Sequence, residues 1–198
     1  AWTGQVAYRG TPGERLFMAE GVAAYMDLLY HASRDGVPGF RSRLAAAQRR
    51  WSVVADSPLD VSLSRATAAG GEEALRALTL DKGAIVLNML RRRIGAAAFE
   101  QGLKRFYGDH AGKLAGVPEL RRAFEAGGPI SLVAFFDQWL GRPGRPTITA
   151  EAVEVLPLPG GKYAIRGALV QAGKPWHLQV PLVVETTGQA RVYEVDVR

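Results

Sequence analysis

Apolar and polar positions recur along the chain with two different periods. Up to about residue 146, apolar residues return every three or four positions, the spacing of one face of an α-helix. Beyond that point, short segments alternate apolar and polar residues or run apolar between turns, which is typical of β-strands. The pattern therefore predicts two domains, a helical part over 1–146 and a β part over 147–198.

Glycine, proline and capping residues delimit the predicted helices. A helix over 15–33 ends at RDGVPG, because Gly36 and Pro38 cannot continue it. A second helix covers 38–51, and the turn-rich segment after it, 53–71, is expected to cross the surface as a loop. The other predicted helices cover 72–94, with a potential break before Asp81, 96–108, 117–126 and 131–140.

The β part contains four predicted strands separated by turn sequences. The strands read AVEVLPL, KYAIRGALVQ, HLQVPLVVET and ARVYEVDVR. Four short strands make about half of a β-sandwich, and the last one ends at Arg198 without an element to cover its edge. We therefore expect a mainly α-helical bundle followed by a small antiparallel β-sandwich that is truncated at its C-terminus, an α+β fold overall.

The chain carries a net charge of +6, and all of the excess lies in the helical part. Residues 1–146 hold 20 Lys and Arg against 14 Asp and Glu, whereas residues 147–198 hold five of each. The basic groups, at 49–50, 91–93 and 121–122, fall on different predicted helices and lack interleaved aromatic residues. We interpret them as solvated helix faces and expect no nucleic-acid partner.

Composition removes several classes of site. The absence of cysteine excludes disulfides and thiolate zinc sites but leaves the compartment open, bacterial cytoplasm or periplasm. No apolar run approaches the roughly 20 residues that span a bilayer. The three histidines, His31, His110 and His177, have no metal-binding spacing, and the sequence contains no HExxH, GxSxG, Walker or GxGxxG motif. A self-sufficient active site is not visible in these residues.

Glu20 is the residue that stands out. It lies in the otherwise apolar sequence RLFMAEGVAAYMDLLY and is followed by a glycine. A carboxylate buried without a partner costs several kcal/mol, so such acids are exposed, paired or bound to a metal. By periodicity alone, a capped or salt-bridged acid is the favoured interpretation.

Three separated stretches of the sequence resemble the catalytic domain of the aminopeptidase N family, the gluzincin zinc aminopeptidases. LFMAEGVAAY resembles the family's W-x-N/S-E-G-F-A-x-Y segment. LDKGAIVLNML and the following IGAAAFEQGLKRFY are similar to its Y-x-K-G helix and the next helix. LVAFFDQWLGRPGRPTI resembles its F-F-x-x-W segment, with Trp139, Gly144 and Pro146 at the family spacing. The order and intervals agree over about 140 residues, and a β-sandwich follows at this point in the family.

The resemblance implies specific roles for two positions. In the family, the two histidines of HExxH and a glutamate about 18 residues later hold zinc, and the HExxH glutamate is the general base. Glu20 falls on the position of that third zinc ligand. A tyrosine two residues before K-G donates a hydrogen bond to the oxyanion, and Leu80 occupies its place. An upstream G-x-M-E-N strand binds the substrate amine.

This chain departs from the family pattern at the groups that carry the chemistry. It contains neither HExxH nor G-x-M-E-N; the second histidine would fall at Ala1, or just before it if AWTG is the remnant of H-x-W-x-G. Leucine cannot donate a hydrogen bond, and loss of one oxyanion donor costs on the order of 10²- to 10³-fold in rate. We therefore predict no catalytic residue in this chain and no bound zinc, although the family binds it.

The resemblance leads to two functional hypotheses. The first is a fragment of a zinc metallopeptidase-like protein, related to enzymes that remove N-terminal residues from peptides and inactive alone. The alternative is a non-catalytic pseudopeptidase scaffold that binds peptides or protein partners. The expected partners are a peptide substrate or the missing N-terminal half, and the surface exposed without that half favours dimer formation.

Overall fold

The computed structural model describes residues 6–185 and 188–197. The chain folds as two compact units, the first ending at Gly144 and the second beginning at Arg145. Ala1 and the AWTG sequence, which the family resemblance places near the second zinc histidine, lie outside the described residues.

The first unit is helical and follows the predicted order of elements. Two π-helical turns, Phe17–Gly21 and Ala77–Asp81, each join a short helix to the longer helix that follows it, and two short strands pair in parallel. The bounds are α1 (Pro12–Leu16), α2 (Val22–Ala55), α3 (Glu72–Arg76), α4 (Lys82–Ile94), α5 (Ala96–His110), α6 (Val117–Glu125) and α7 (Val133–Gly141), with β1 (Ala7–Tyr8) and β2 (Leu114–Ala115).

Local chemistry explains where these helices begin and bend. Thr11 and Glu14 form a capping box at the start of α1, each side chain bonded to the other residue's backbone N–H. Gly36 has φ of 72° inside α2, so α2 consists of two helical arms, as the RDGVPG sequence predicts. Gly95, with φ of 86°, separates α4 from α5. The potential break before Asp81 is a π turn that keeps the helix continuous.

Aromatic packing holds the helices together. The rings of Tyr25 and Phe99 meet edge to face at 5.5 Å, and Phe99 stacks on Phe124 at 5.0 Å. The hydroxyl of Tyr25 also donates to Oδ1 of Asn88 at 3.3 Å. These contacts connect α2, α5 and α6 through aromatic side chains that are almost entirely buried, and Asn88 adds α4.

The predicted surface loop at 53–71 is partly wrong. Its first residues, to Ala55, belong to α2, and the rest contains two 3₁₀ turns, Leu63–Arg65 and Ala68–Gly70. Leu63 is fully buried and Ala66 nearly so. The loop therefore contributes apolar side chains to the core, which a pattern rich in Ser, Asp, Pro and Gly does not reveal.

The first π turn crosses the second π turn and the start of α4 at a pair of glycines, Gly21 and Gly83. A Cβ atom on Gly21 would lie 2.7 Å from the carbonyl oxygen of Thr79 and 3.4 Å from the Cα of Gly83. A Cβ atom on Gly83 would lie 3.1 Å from the Cα of Gly21. Such distances leave no room for a side chain, so both glycines are required by the close approach of the two backbones.

Lys82, directly before Gly83, is a fully buried charged residue. Its Nζ donates to the carbonyl oxygen of Arg142 at 3.0 Å and lies 5.6 Å from the centre of the Trp51 ring. The Oδ2 atom of Asp60 accepts the backbone N–H of Gly144. Burial lowers the pKa of Lys82 to about 8, and the nearby Asp60 carboxylate opposes this shift.

The second unit consists of two antiparallel ribbons, which confirms the predicted antiparallel β structure. Strand β3 (Ile148–Leu158) pairs with β4 (Lys162–Gln171), and β5 (Leu178–Val184) pairs with β6 (Arg191–Val197). Trp176 is buried, and its backbone N–H and carbonyl both bond the Gln171 side chain. In the part of the chain that the structure describes, no helix is long and apolar enough to cross a membrane.

We predict that Gly21→Ala destabilises the protein by about 1–3 kcal/mol, because the added methyl group must displace the backbone at Thr79. The matched control is Gly108→Ala in α5, where an added Cβ meets nothing within 4 Å. That change should be neutral or stabilise by up to about 1 kcal/mol, since glycine weakens a helix. Urea unfolding followed by circular dichroism measures both, and equal stabilities for the two variants would contradict the assigned crossing.

We also predict that Lys82 makes the stability of the protein depend on pH. The pKa of Lys82 is about 8 in the folded protein and 10.5 in its ordinary environment. Between these values the unfolded chain binds more protons, so this group makes the free energy of unfolding rise with pH, by at most about 1.4 kcal/mol per pH unit.

Below pH 8 both states are protonated and the contribution is constant. Lys82→Met should remove the rise, so wild type gains stability relative to this variant between pH 8 and 9.5 in guanidinium unfolding. The control is Lys104→Met, which removes an exposed lysine paired with Glu100 and should leave the difference flat. Parallel pH profiles for wild type and Lys82→Met would refute the prediction.

Candidate functional site

Glu20 lies in the first π turn, directly before the crossing glycine Gly21. Its side chain is exposed to solvent, so the carboxylate needs no partner to offset burial. The π turn itself is closed by the N–H of Val22, which donates to the carbonyl of Phe17 five residues earlier. Single π turns of this kind interrupt α-helices rarely and are enriched at functional sites.

Leu80, the residue at the family's tyrosine position, lies in the second π turn. Here the N–H of Lys82 donates to the carbonyl of Ala77. The crossing places Gly21 against Thr79 and Gly83, so Glu20 and Leu80 each neighbour a residue of the same contact. Two positions that are 60 residues apart in sequence therefore lie on the same pair of crossed turns.

The described residues do not form a zinc site. Across residues 6–185 and 188–197, no group of three or more His, Asp or Glu side chains converges in a geometry that holds a metal ion. Glu20 offers a carboxylate alone, whereas catalytic zinc sites use three protein ligands. The donor set present in these residues does not fit zinc.

Two of the three histidines, His31 and His110, already have partners within the helical unit. The Nδ1 atom of His31 is 3.0 Å from Oδ2 of Asp35, and its Nε2 is 3.7 Å from Oδ1 of Asp27. The ring of His110 stacks on Phe106 and bonds that residue's carbonyl oxygen through Nδ1. Both arrangements fit the interpretation of these residues as satisfied histidines.

A groove of about 750 Å³ opens beside Leu80. Its walls are the two arms of α2 and the helix that runs from α3 through the π turn to α4. Small apolar residues on these walls create the space, among them Ala24, Ala46, Ala47, Ala77 and Ala84. We call this space the alanine groove.

One wall of the alanine groove is fixed by a bidentate ion pair. The Nη2 and Nε atoms of Arg50 bond the two carboxylate oxygens of Asp81 at 2.6 and 2.9 Å. Asp81 is buried and Arg50 is largely exposed, and the hydrogen bond to Asp81 raises the pKa of Arg50. The pair joins the second arm of α2 to the second π turn, and each of the two charges is neutralised by the other.

Three other charged residues of the groove have no such partner. Within the described residues, the side chains of Arg43, Arg76 and Glu73 make no hydrogen bond and no ion pair. Arg43 belongs to the second arm of α2, and the other two belong to α3. Two guanidinium groups and one carboxylate are thus available to a ligand.

The sequence pattern does not reveal this groove. It predicts a solvated helix face at Arg49 and Arg50, whereas the Arg50 side chain bonds the buried Asp81. The alanines that make the space are ordinary helix formers, and their positions say nothing about a cavity until the helices are packed. The spacing of Arg43, Ala46, Ala47 and Arg50 on one helix face is the only signal that the sequence carries.

The chain is similar in sequence to known aminopeptidases over about half of its length, although no family model matches it. It is 30% identical to aminopeptidase N of Lactococcus lactis subsp. lactis over 112 aligned residues. The aligned residues make up 57% of this chain and 13% of that protein. It is also 30% identical over 94 residues to aminopeptidase M1 of Arabidopsis thaliana, 48% of this chain and 10% of that protein.

Solved structures share the fold. One is aminopeptidase A of Legionella pneumophila, solved in complex with aspartic acid. The alignment covers 99% of this chain and 22% of the Legionella chain, with a TM-score of 0.61 and 16% sequence identity. Another is a mutant of the M1 zinc metallopeptidase of Deinococcus radiodurans, bound to a Tyr-Ser-Ala substrate. The alignment covers 68% of this chain and 29% of the Deinococcus chain, with a TM-score of 0.51 and 25% sequence identity. The chain is therefore similar to aminopeptidases of the M1 zinc metallopeptidase family over part of its length, shares the fold of that part, and spans only about a tenth of the length of the curated relatives it matches.

Proposed function

We propose that this chain is one part of an aminopeptidase-like zinc metallopeptidase and that it does not hydrolyse peptides by itself. The observation that carries the proposal is the crossing of the two π turns, with Glu20 on one and Leu80 on the other. By resemblance to the family, Glu20 matches the position of a third zinc ligand, and its solvent-exposed carboxylate supports the proposal. The sequence lacks the two histidines and the general base that such a ligand needs.

Leu80 favours a second candidate, a non-catalytic scaffold that binds peptides. The side chain is apolar and half-buried on the wall of the alanine groove, so it offers a surface to a ligand but no hydrogen bond to an oxyanion. A groove of this volume suits a small ligand whether or not a reaction follows.

Zinc content and hydrolysis together test the first candidate. After incubation with zinc and gel filtration, the chain should retain no stoichiometric metal, and it should release no product from L-leucine p-nitroanilide above the blank. Glu20→Gln should change neither value, because one carboxylate cannot hold zinc alone.

The matched control is Glu100→Gln, another exposed glutamate on the helical unit. Bound zinc and turnover that disappear in Glu20→Gln and persist in Glu100→Gln would contradict the proposal and establish Glu20 as a ligand. Zinc that persists in both variants without turnover would show a metal site elsewhere, which also contradicts the expected absence of metal.

A further inference from the structure

The alanine groove has the size and the wall chemistry of a small-molecule site. Its volume of about 750 Å³ lies within the range of ligand pockets, about 300–1,000 Å³. The walls are apolar, with Leu28, Val54 and Leu80 beside the alanines. A site of this kind takes a ligand with an apolar body and uses a few polar groups to orient it.

The charges of the groove select among ligands with an apolar body. Arg50 and Asp81 neutralise each other, and Asp27 lies near His31. The groups left available are the guanidiniums of Arg43 and Arg76 and the carboxylate of Glu73. Guanidinium groups bind carboxylates through paired charge-assisted hydrogen bonds, and a carboxylate binds an ammonium group.

Multiply charged anions fit this arrangement poorly. Glu73 and Asp27 line the same groove and would repel a polyphosphate or a nucleic-acid backbone. A ligand with one carboxylate, one ammonium group and apolar side chains satisfies every available group. A short peptide with free termini has this chemistry.

We propose that the alanine groove binds a short peptide with free termini, whose carboxylate lies between Arg43 and Arg76 and whose side chains pack on the apolar walls. Glu73 receives the ammonium group. The inference deepens the peptide-binding part of the proposed function and rests on it for the class of ligand. It assigns recognition of the carboxyl end to residues that the resemblance to the family does not mark.

Calorimetric titration of the whole chain with the dipeptide Ala-Leu and with Ala-Leu-amide tests the assignment. We expect the free acid to bind at least about tenfold more tightly than the amide, since one charge-assisted pair is worth about this factor or more. This comparison needs no variant. Equal affinities, or no binding of either peptide, would overturn the proposal.

The double variant Arg43→Gln/Arg76→Gln identifies the residues. It should lose at least about tenfold in affinity for Ala-Leu and should bind the acid and the amide alike. Its matched control is Arg41→Gln/Arg93→Gln, which removes the same charge from two exposed arginines outside the groove and should keep wild-type affinity. Equal losses in the two double variants would show attraction by net charge alone and would refute the site.

The binding result and the hydrolysis result separate the two proposals. Turnover of L-leucine p-nitroanilide together with arginine-dependent binding of Ala-Leu would end the proposed function and leave the groove assignment standing. Absence of both turnover and acid–amide discrimination would end the groove assignment and leave the proposed function standing.

Discussion

The close approach of Gly21 and Gly83 is the constraint on which the rest of the helical unit depends. Without side chains at these two positions, the backbones of two π turns meet at a distance that no other residue permits. A π turn adds one residue to a helical turn and so shifts every later residue around the helix axis. The crossing therefore decides which faces of α2 and α4 meet, and it sets the positions of Glu20 and Leu80 together.

A buried polar cluster secures the helix on the other side of this crossing. Lys82 follows the second π turn and donates a hydrogen bond to the carbonyl oxygen of Arg142. The carboxylate of Asp60 accepts a hydrogen bond from the backbone N–H of Gly144. Burying an ammonium group is unfavourable, and here a hydrogen bond, the ring of Trp51 and the Asp60 charge offset part of that cost. Lys82 and the segment from Arg142 to Gly144, about 60 residues apart in the chain, thus belong to one polar cluster.

The alanine groove follows from the same arrangement. The bend at Gly36 turns the second arm of α2 back, and the Arg50–Asp81 pair joins that arm to the second π turn. Alanine side chains on the facing walls are too short to fill the space between the helices. The groove is therefore a consequence of helix crossing and small residues, and Arg43, Arg76 and Glu73 remain available because the Arg50–Asp81 pair joins the walls without them.

Much of the fold was predictable because it depends on local rules. The helix ends at Gly36 and Gly95 and the antiparallel strands follow from turn residues and periodicity, which act over a few positions. The burial of Leu63 was not predictable, since a turn-rich sequence is normally exposed and only packing against the helices covers it. The pattern around Glu20 left an exposed, a paired and a metal-bound acid open and favoured a capped or salt-bridged one, and only the packed structure shows that the side chain is exposed to solvent.

By itself, the sequence determined the order of helices and strands, the family resemblance, and the absence of HExxH among these 198 residues, all of which are readable along one dimension. Tertiary structure alone decided that Gly21 touches Thr79 and Gly83, that Lys82 anchors the segment at Arg142, and that Arg43 and Arg76 share one groove. These are contacts between residues about 30 to 60 positions apart, and such contacts arise from the packing of whole helices, which no local pattern encodes.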